Sequence, residues 1–271
     1  MKTRKMMVLL LMLSAFAAFP ALSYATHWWG GYHWARTSNP FTVKLGDDVS
    51  AAWDSYLWDA SSDWSVSGSF YGVLDTDIVP GGTNPKRCHP TSGHVEVCSS
   101  TYGKNGWLGL AQIWVSGSHI TQAVAKMNDS YFNTPSYNTP GWRHLVMCQE
   151  VGHTFGLDHQ DENFYNANLG TCMDYTSNPL GPPSNEHPNQ HDYDELGIIY
   201  GHSDGTTTVG QTANNMPPAA SEIDFSGPAQ WGRLIRSTNG GRTELFELDF
   251  GGGHKVFTFV TWAEGEERER R

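Results

Sequence analysis

A chain of 271 residues with 28 acidic against 17 basic side chains carries a net charge of −11. That balance argues against nucleic acid or an anionic membrane surface as partner. The length allows one sizeable domain plus an appendage, and beyond the first 25 residues no apolar run is long enough to span a bilayer.

Residues 1–25 open with Lys2, Arg4 and Lys5, run apolar from Met6 to Phe19 and end in Ser23-Tyr24-Ala25. This order predicts a secretory signal with a small-residue cleavage site, a mature start at Thr26 and a secreted, extracellular location. Removal of the signal leaves 14 basic residues against 28 acidic ones, a net −14. Between 26 and 47 lie aromatic residues and a strand-like 41–45. His27 and His33, set among Trp28, Trp29 and Trp34, read as packing or surface residues rather than ligands. No long segment separates signal from domain, so a metal-blocking propeptide is expected to be absent or very short.

Apolar residues at Val49, Ala52, Trp53, Tyr56, Leu57 and Ala60 predict a helix over 47–64 with an acidic first turn. Strand-like pieces follow around 69–74, 93–97 and 108–115, separated by Gly, Pro, Asn and Ser turns, with 119–127 as the last strand before a central helix. Asp75, Asp77 and the loop after them offer oxygen donors suited to a structural Ca2+, but their spacing matches no calcium loop and a solvated turn is the simpler reading. Four cysteines in an exported chain favour two disulfides. Three pairings exist, and order in the chain favours Cys88–Cys98 and Cys148–Cys172. The second would close a loop of ~23 residues, a contribution on the order of 3 kcal/mol.

Thr139-Pro140 predicts the start of the central helix, with threonine as the cap and proline in the first turn. Trp142, Leu145, Val146 and Phe155 supply its buried side. Its end carries Gln149-Glu150-Val151-Gly152-His153-Thr154-Phe155-Gly156-Leu157-Asp158-His159. Positions 149 and 153 project from one helix face, so two donors there can reach a single metal ion with Glu150 beside it. Gly156 lets the chain leave the helix in a left-handed or open conformation and return His159 to the same ion. His144 falls off that face and reads as structural.

Thr171-Cys172-Met173-Asp174-Tyr175 follows a short loop later. A disulfide from Cys148 to Cys172 would pin this turn to the helix. Residues 178–189 are loop, 191–201 a closing helix, and His187 and His191 are read as non-ligands. Residues 203–228 read as a linker, and 229–271 as a small β-rich appendage ending in a charged tail. Within it, 231–236, 243–250 and 255–261 alternate across Asn239-Gly240-Gly241 and Gly251-Gly252-Gly253 turns as a three-stranded meander.

The long motif and the downstream Met173-Asp174-Tyr175 together resemble the metzincin metallopeptidases of the matrixin and astacin-like clan, whose pattern is His-Glu-x-x-His-x-x-Gly-x-x-His followed by a methionine turn. Every element matches except the first histidine, which here is Gln149. The resemblance implies an α+β (mixed α/β) catalytic domain over 26–202: a small twisted sheet, a long first helix, the active-site helix, the methionine turn at Met173 and a C-terminal helix. Zn2+ would be held by Gln149, His153 and His159, with Glu150 as general base and acid for a metal-activated water. Tyr175 would donate to the developing oxyanion or bind the metal. Lys86-Arg87-Cys88-His89-Pro90 is superficially similar to the cysteine switch of matrix metallopeptidases, but it follows the first helix and has Cys98 nearby as a partner.

The amide oxygen of Gln149 is neutral, as imidazole is, so the charge of the site is kept, yet it is a harder and weaker donor for zinc. Lower metal affinity is expected before lost chemistry. The implied function is a secreted, monomeric, zinc-dependent endopeptidase acting on protein or peptide. The alternative is a catalytically weak or inactive peptidase-like protein serving as an extracellular binding module.

Overall fold

Apolar alternation along the chain is resolved into a single nine-stranded sheet in the computed structural model. It describes residues 27–66, 68, 72–212, 216–238 and 241–266. The expected signal at 1–25, the first half of the predicted strand at 69–74, the Asn239-Gly240 turn and the end of the charged tail lie outside them.

The chain runs through β1 (His33–Trp34), β2 (Phe41–Asp48), α1 (Asp54–Trp64), β3 (Leu74–Pro80), β4 (His94–Ser100), β5 (Trp107–Ser116), β6 (His119–Asn128), α2 (Asp129–Phe132) and α3 (Pro140–His153). After α4 (Gln190–Ile199) come α5 (Ala219–Glu222), a 3-10 turn (Pro228–Gln230), β7 (Arg233–Thr238), β8 (Thr243–Gly251) and β9 (His254–Trp262). The first long helix therefore begins later than position 47. Asp47 and Asp48 stay in β2 because both neighbours claim them, Asp47 opposite Pro80 and Asp48 opposite Cys98.

The strand order is β3-β2-β4-β6-β5-β9-β8-β7, with β1 added in parallel to the first residues of β6. Neighbours among β2, β3, β4 and β6 pair in parallel, while β5 runs antiparallel to both β6 and β9. Nearly every residue of β5 and β6 is buried, as expected of strands covered on both faces. One face carries α1 and α3 over Val43, Leu45, Val95, Ala111 and Ile113. The other packs Leu110, Trp114 and Val260 against Met216, Phe225 and Trp231.

The expected small sheet is thus corrected: β9 pairs with β5 from Trp107 opposite Trp262 to Ser116 opposite His254, so the meander, expected to dock on the catalytic domain or join a larger assembly, extends the domain's own sheet. A three-stranded unit has little core of its own, and β5 without β9 would be a long apolar edge with unpaired backbone groups. Docking removes both problems. Residues of the stretch read as a linker are anchored to the domain, through Thr208 N–H to the Ala35 carbonyl (2.9 Å) and Gly210 N–H to the Gly93 carbonyl (3.0 Å). Disulfides join Cys88 to Cys98 and Cys148 to Cys172. Among the described residues no helix is long and apolar enough to cross a membrane.

Candidate metal centre

Thr139 caps α3 by accepting from the Trp142 N–H, and Pro140 occupies the first turn. The last turn carries Gln149, Glu150 and His153, all buried. The chain then turns through Gly156, whose φ of 94° and the Tyr32 carbonyl oxygen, 2.4 Å from where a Cβ would stand, leave room only for glycine. This turn returns His159 so that its Nε2 lies 3.2 Å from His153 Nε2. Donors 2.0–2.1 Å from a tetrahedral ion stand about 3.4 Å apart, so the two imidazoles fit one zinc. His153 Nδ1 donates to the Leu157 carbonyl at 2.8 Å, leaving Nε2 with its lone pair. Burial, with the His159 imidazole adding to it, holds the His153 pKa well below the usual histidine range, so the ring is neutral at pH 7. On the far side of His159, Nδ1 faces the Glu162 carboxylate at 3.6 Å.

Gln149 is engaged at both ends of its amide. Its Nε2 donates to the Cys172 carbonyl (3.0 Å), and its Oε1 accepts from the Thr261 hydroxyl (3.1 Å). An amide oxygen has a second lone pair, so Oε1 can accept from Thr261 and still coordinate. Glu150 lies against β5, where a Cβ on Gly109 would come within 2.3 Å of its Oε1. Neither carboxylate oxygen has a hydrogen-bond partner among the described residues, and burial raises its pKa to about 8. The nearby Thr261 hydroxyl opposes that shift, although its hydrogen bond goes to Gln149.

Met173 packs directly under the helix: a Cβ on Gly152 would meet its sulfur at 2.8 Å and the Trp64 ring at 2.7 Å. Gln160 N–H donates to the Met173 carbonyl at 2.6 Å, tying the return strand to this turn. The Tyr175 ring stands edge-on to His159 with centroids 5.4 Å apart, but its hydroxyl donates to the Arg242 carbonyl at 2.8 Å. Burial, reinforced by the Glu150 charge, raises the phenol's pKa above its ordinary value.

The remaining residues come from the C-terminal strands, and nothing near the motif announces them. Residues 257, 259 and 261 of β9 share one face by the two-residue period, with Phe257 packed on Trp29 and Tyr32 and the other two reaching α3. Phe259 stacks on the His153 imidazole at 4.4 Å with 5° between planes, and Thr261 reaches Gln149. Arg236 of β7 forms a two-pronged pair with Asp158 and approaches Glu162 at 3.9 Å. A narrow apolar cavity opens beside Gln149 between Leu108, Tyr137, Trp142, Leu145 and Trp262. The site is closed by the chain itself.

Other candidates fall elsewhere. His144 bonds Asp59 (2.9 Å) and Glu186 (3.2 Å), and His187 bonds Asp63 (2.7 Å). His27 Nε2 meets Asp192 at 3.0 Å, with His191 stacked on its ring. Asp75 and Asp77 are not in a loop. They lie in β3, paired with Thr42 and Lys44, where the two-residue period sets both on one face. Cys88 is held by Cys98 and cannot act as a switch. No protein-family model matches the chain, and no curated protein matches it either.

Proposed function

We propose that the chain is a secreted zinc-dependent endopeptidase whose centre is held latent by its own C-terminal strand. The observation that carries the reading is the convergence of His153 Nε2 and His159 Nε2 to 3.2 Å beside the buried, unpartnered Glu150. Gln149 Oε1 would complete the protein donors. A zinc ion held there supplies Lewis acidity toward a scissile carbonyl and lowers the pKa of water.

The chain's own groups do the rest. Glu150 holds a proton on its carboxyl in the closed arrangement, where burial keeps its pKa near 8. Withdrawal of β9 would rehydrate that carboxyl and return it toward the ordinary range, from which it takes a proton from water and passes it to the leaving amine. Leu157's carbonyl orients the His153 imidazole, and the Glu162 carboxylate faces His159 Nδ1 at 3.6 Å. Phe259 excludes water from the face of His153 until it is displaced.

A second reading, a peptidase-like binding module without hydrolysis, is favoured by the engagement of both Gln149 amide atoms by protein groups. Metal content, measured on wild type, Glu150→Ala and Gln149→His, and cleavage of an unfolded protein substrate, measured for the same three in a Phe259→Ala background that opens the centre, separate the two. Under the peptidase reading Glu150→Ala keeps zinc but is inert, and Gln149→His binds zinc at least about tenfold more tightly because imidazole is the better donor. A chain that takes up no zinc at the motif and cleaves nothing even with Phe259 removed supports the module instead.

A further inference from the structure

A second group of imidazoles lies away from the motif, at the junction of β1, the start of β6 and the chain leaving α4. Parallel pairing sets His33 opposite His119, and the two rings meet edge-to-face at 5.1 Å. After α4 the chain comes back to β1 through Asp204, whose N–H donates to the Arg36 carbonyl at 2.8 Å. Arg36 fixes this return: its backbone N–H (3.1 Å) and its guanidinium (2.8 Å) both donate to Asp204 Oδ2, and the guanidinium also donates to the Tyr200 (2.7 Å) and His202 carbonyls.

With Oδ2 occupied, Oδ1 is turned inward, and three imidazole nitrogens surround it: His33 Nε2 at 3.3 Å, His119 Nε2 at 3.3 Å and His202 Nε2 at 3.5 Å. His33 and His202 Nε2 are 3.2 Å apart. These separations are long for charge-assisted hydrogen bonds, which run about 2.7–2.9 Å. One carboxylate oxygen also has too few lone pairs to accept from three rings. The His33, His202 and Asp204 atoms do match the spacing of donors around one tetrahedral ion, about 3.3–3.5 Å for bonds of about 2.0–2.2 Å, while His119 approaches only Asp204 at that spacing. The other nitrogen of His33 lies 2.8 Å from the Gly31 carbonyl, the outer partner that leaves Nε2 unprotonated and aimed inward.

We propose that His33, His202 and Asp204 form a second divalent-cation site suited to zinc, with His119, set against Asp204, placed to supply the fourth donor. Three donors spaced for one ion and a fourth at hand in His119 make it a closed, structural site rather than a hydrolytic one. It joins β1 to the end of the domain, and β1 in turn supports the motif, because Trp34 donates its indole N–H to the Thr154 carbonyl (2.9 Å) just after His153. Ring side chains at the rim, His119 at 31 % and His202 at 49 % exposure, give the ion a way in.

The test is zinc stoichiometry of the full chain after equilibrium dialysis against buffered zinc, read by elemental analysis, for wild type, His202→Ala and His119→Ala. Both side chains are partly exposed, so both variants are expected to fold with an unchanged circular dichroism spectrum. Each should bind one zinc fewer than wild type, or hold the second ion at least about 100-fold more weakly, since loss of an outer partner alone costs about 10–100-fold. Cobalt(II) in place of zinc should give the intense visible bands of a tetrahedral site, diminished in both variants. The comparison is a difference, so it does not depend on whether the Gln149 site is loaded: two ions falling to one, or one falling to none, both support the proposal. Unchanged stoichiometry and affinity in both variants would overturn it, as would a cobalt spectrum that neither variant alters.

Discussion

Glu150 and Lys126 are two buried ionisable groups whose burial the motif alone does not predict. Glu150 is carried by a helix register that any reader of 149–159 would assign, yet its elevated pKa comes from Gly109 and β5 closing over it. Lys126 on β6 is fully buried, donates to the Arg87 carbonyl at 3.3 Å and faces the Tyr102 ring at 5.9 Å. Burial lowers its pKa to about 8 from an ordinary 10.5, with Asp224 pulling the other way. Between those values the unfolded chain binds the extra proton, so stability rises with pH across that window, while below it both states are protonated and the full burial penalty persists. Lys126→Met is therefore expected to be more stable than wild type at pH 7, by up to about 3 kcal/mol, with the advantage shrinking toward pH 10.5. Denaturant titrations at the two ends of the window check it, and an advantage that grows with pH would count against the burial argument.

At the level of elements, α3 is pinned at three points: by Thr139 and Pro140 at its start, by Trp64 donating to the Cys148 carbonyl (3.1 Å) and by the disulfide from Cys148 to Cys172 near its end. The disulfide spans 24 positions and carries the methionine turn with it. Replacing both cysteines by alanine is expected to cost about 3 kcal/mol. Because the Cys172 carbonyl also holds Gln149 in place, the same variant should weaken zinc binding at the motif, which zinc titration would detect. Loss of stability with unaltered zinc affinity would mean that the helix and the turn hold their geometry without the bridge.

For the molecule as a whole, the decisive feature is that the last three strands complete the sheet and cover the centre. Phe259→Ala removes the ring stacked on His153 and is expected to cost about 3–5 kcal/mol. If β9 is what keeps the centre latent, the folded fraction of that variant should cleave an unfolded protein substrate at least about tenfold faster than wild type. An unchanged rate at equal folded fraction would show that Phe259 does not gate the site. Arg236 acts on the same docking through Asp158.

Sequence alone determined the parts whose geometry is local. The cap at Thr139, the shared helix face of Gln149 and His153, the positive φ at Gly156, both disulfides and the alternation of β7 to β9 follow from spacing within a few residues or from order in the chain. The tertiary structure decided what lies far apart in the chain. Thr261 reaches Gln149 across 112 positions, and His33 meets His202 across 169. Asp47 and Asp48 were taken from a helical period by the ladders of β2, and the meander was joined to β5 by backbone groups that carry no residue signature. Side-chain periodicity records which face of an element is buried, but not against what. That choice is made by packing and by pairing of backbone groups common to every residue, so it appears only once the chain has folded.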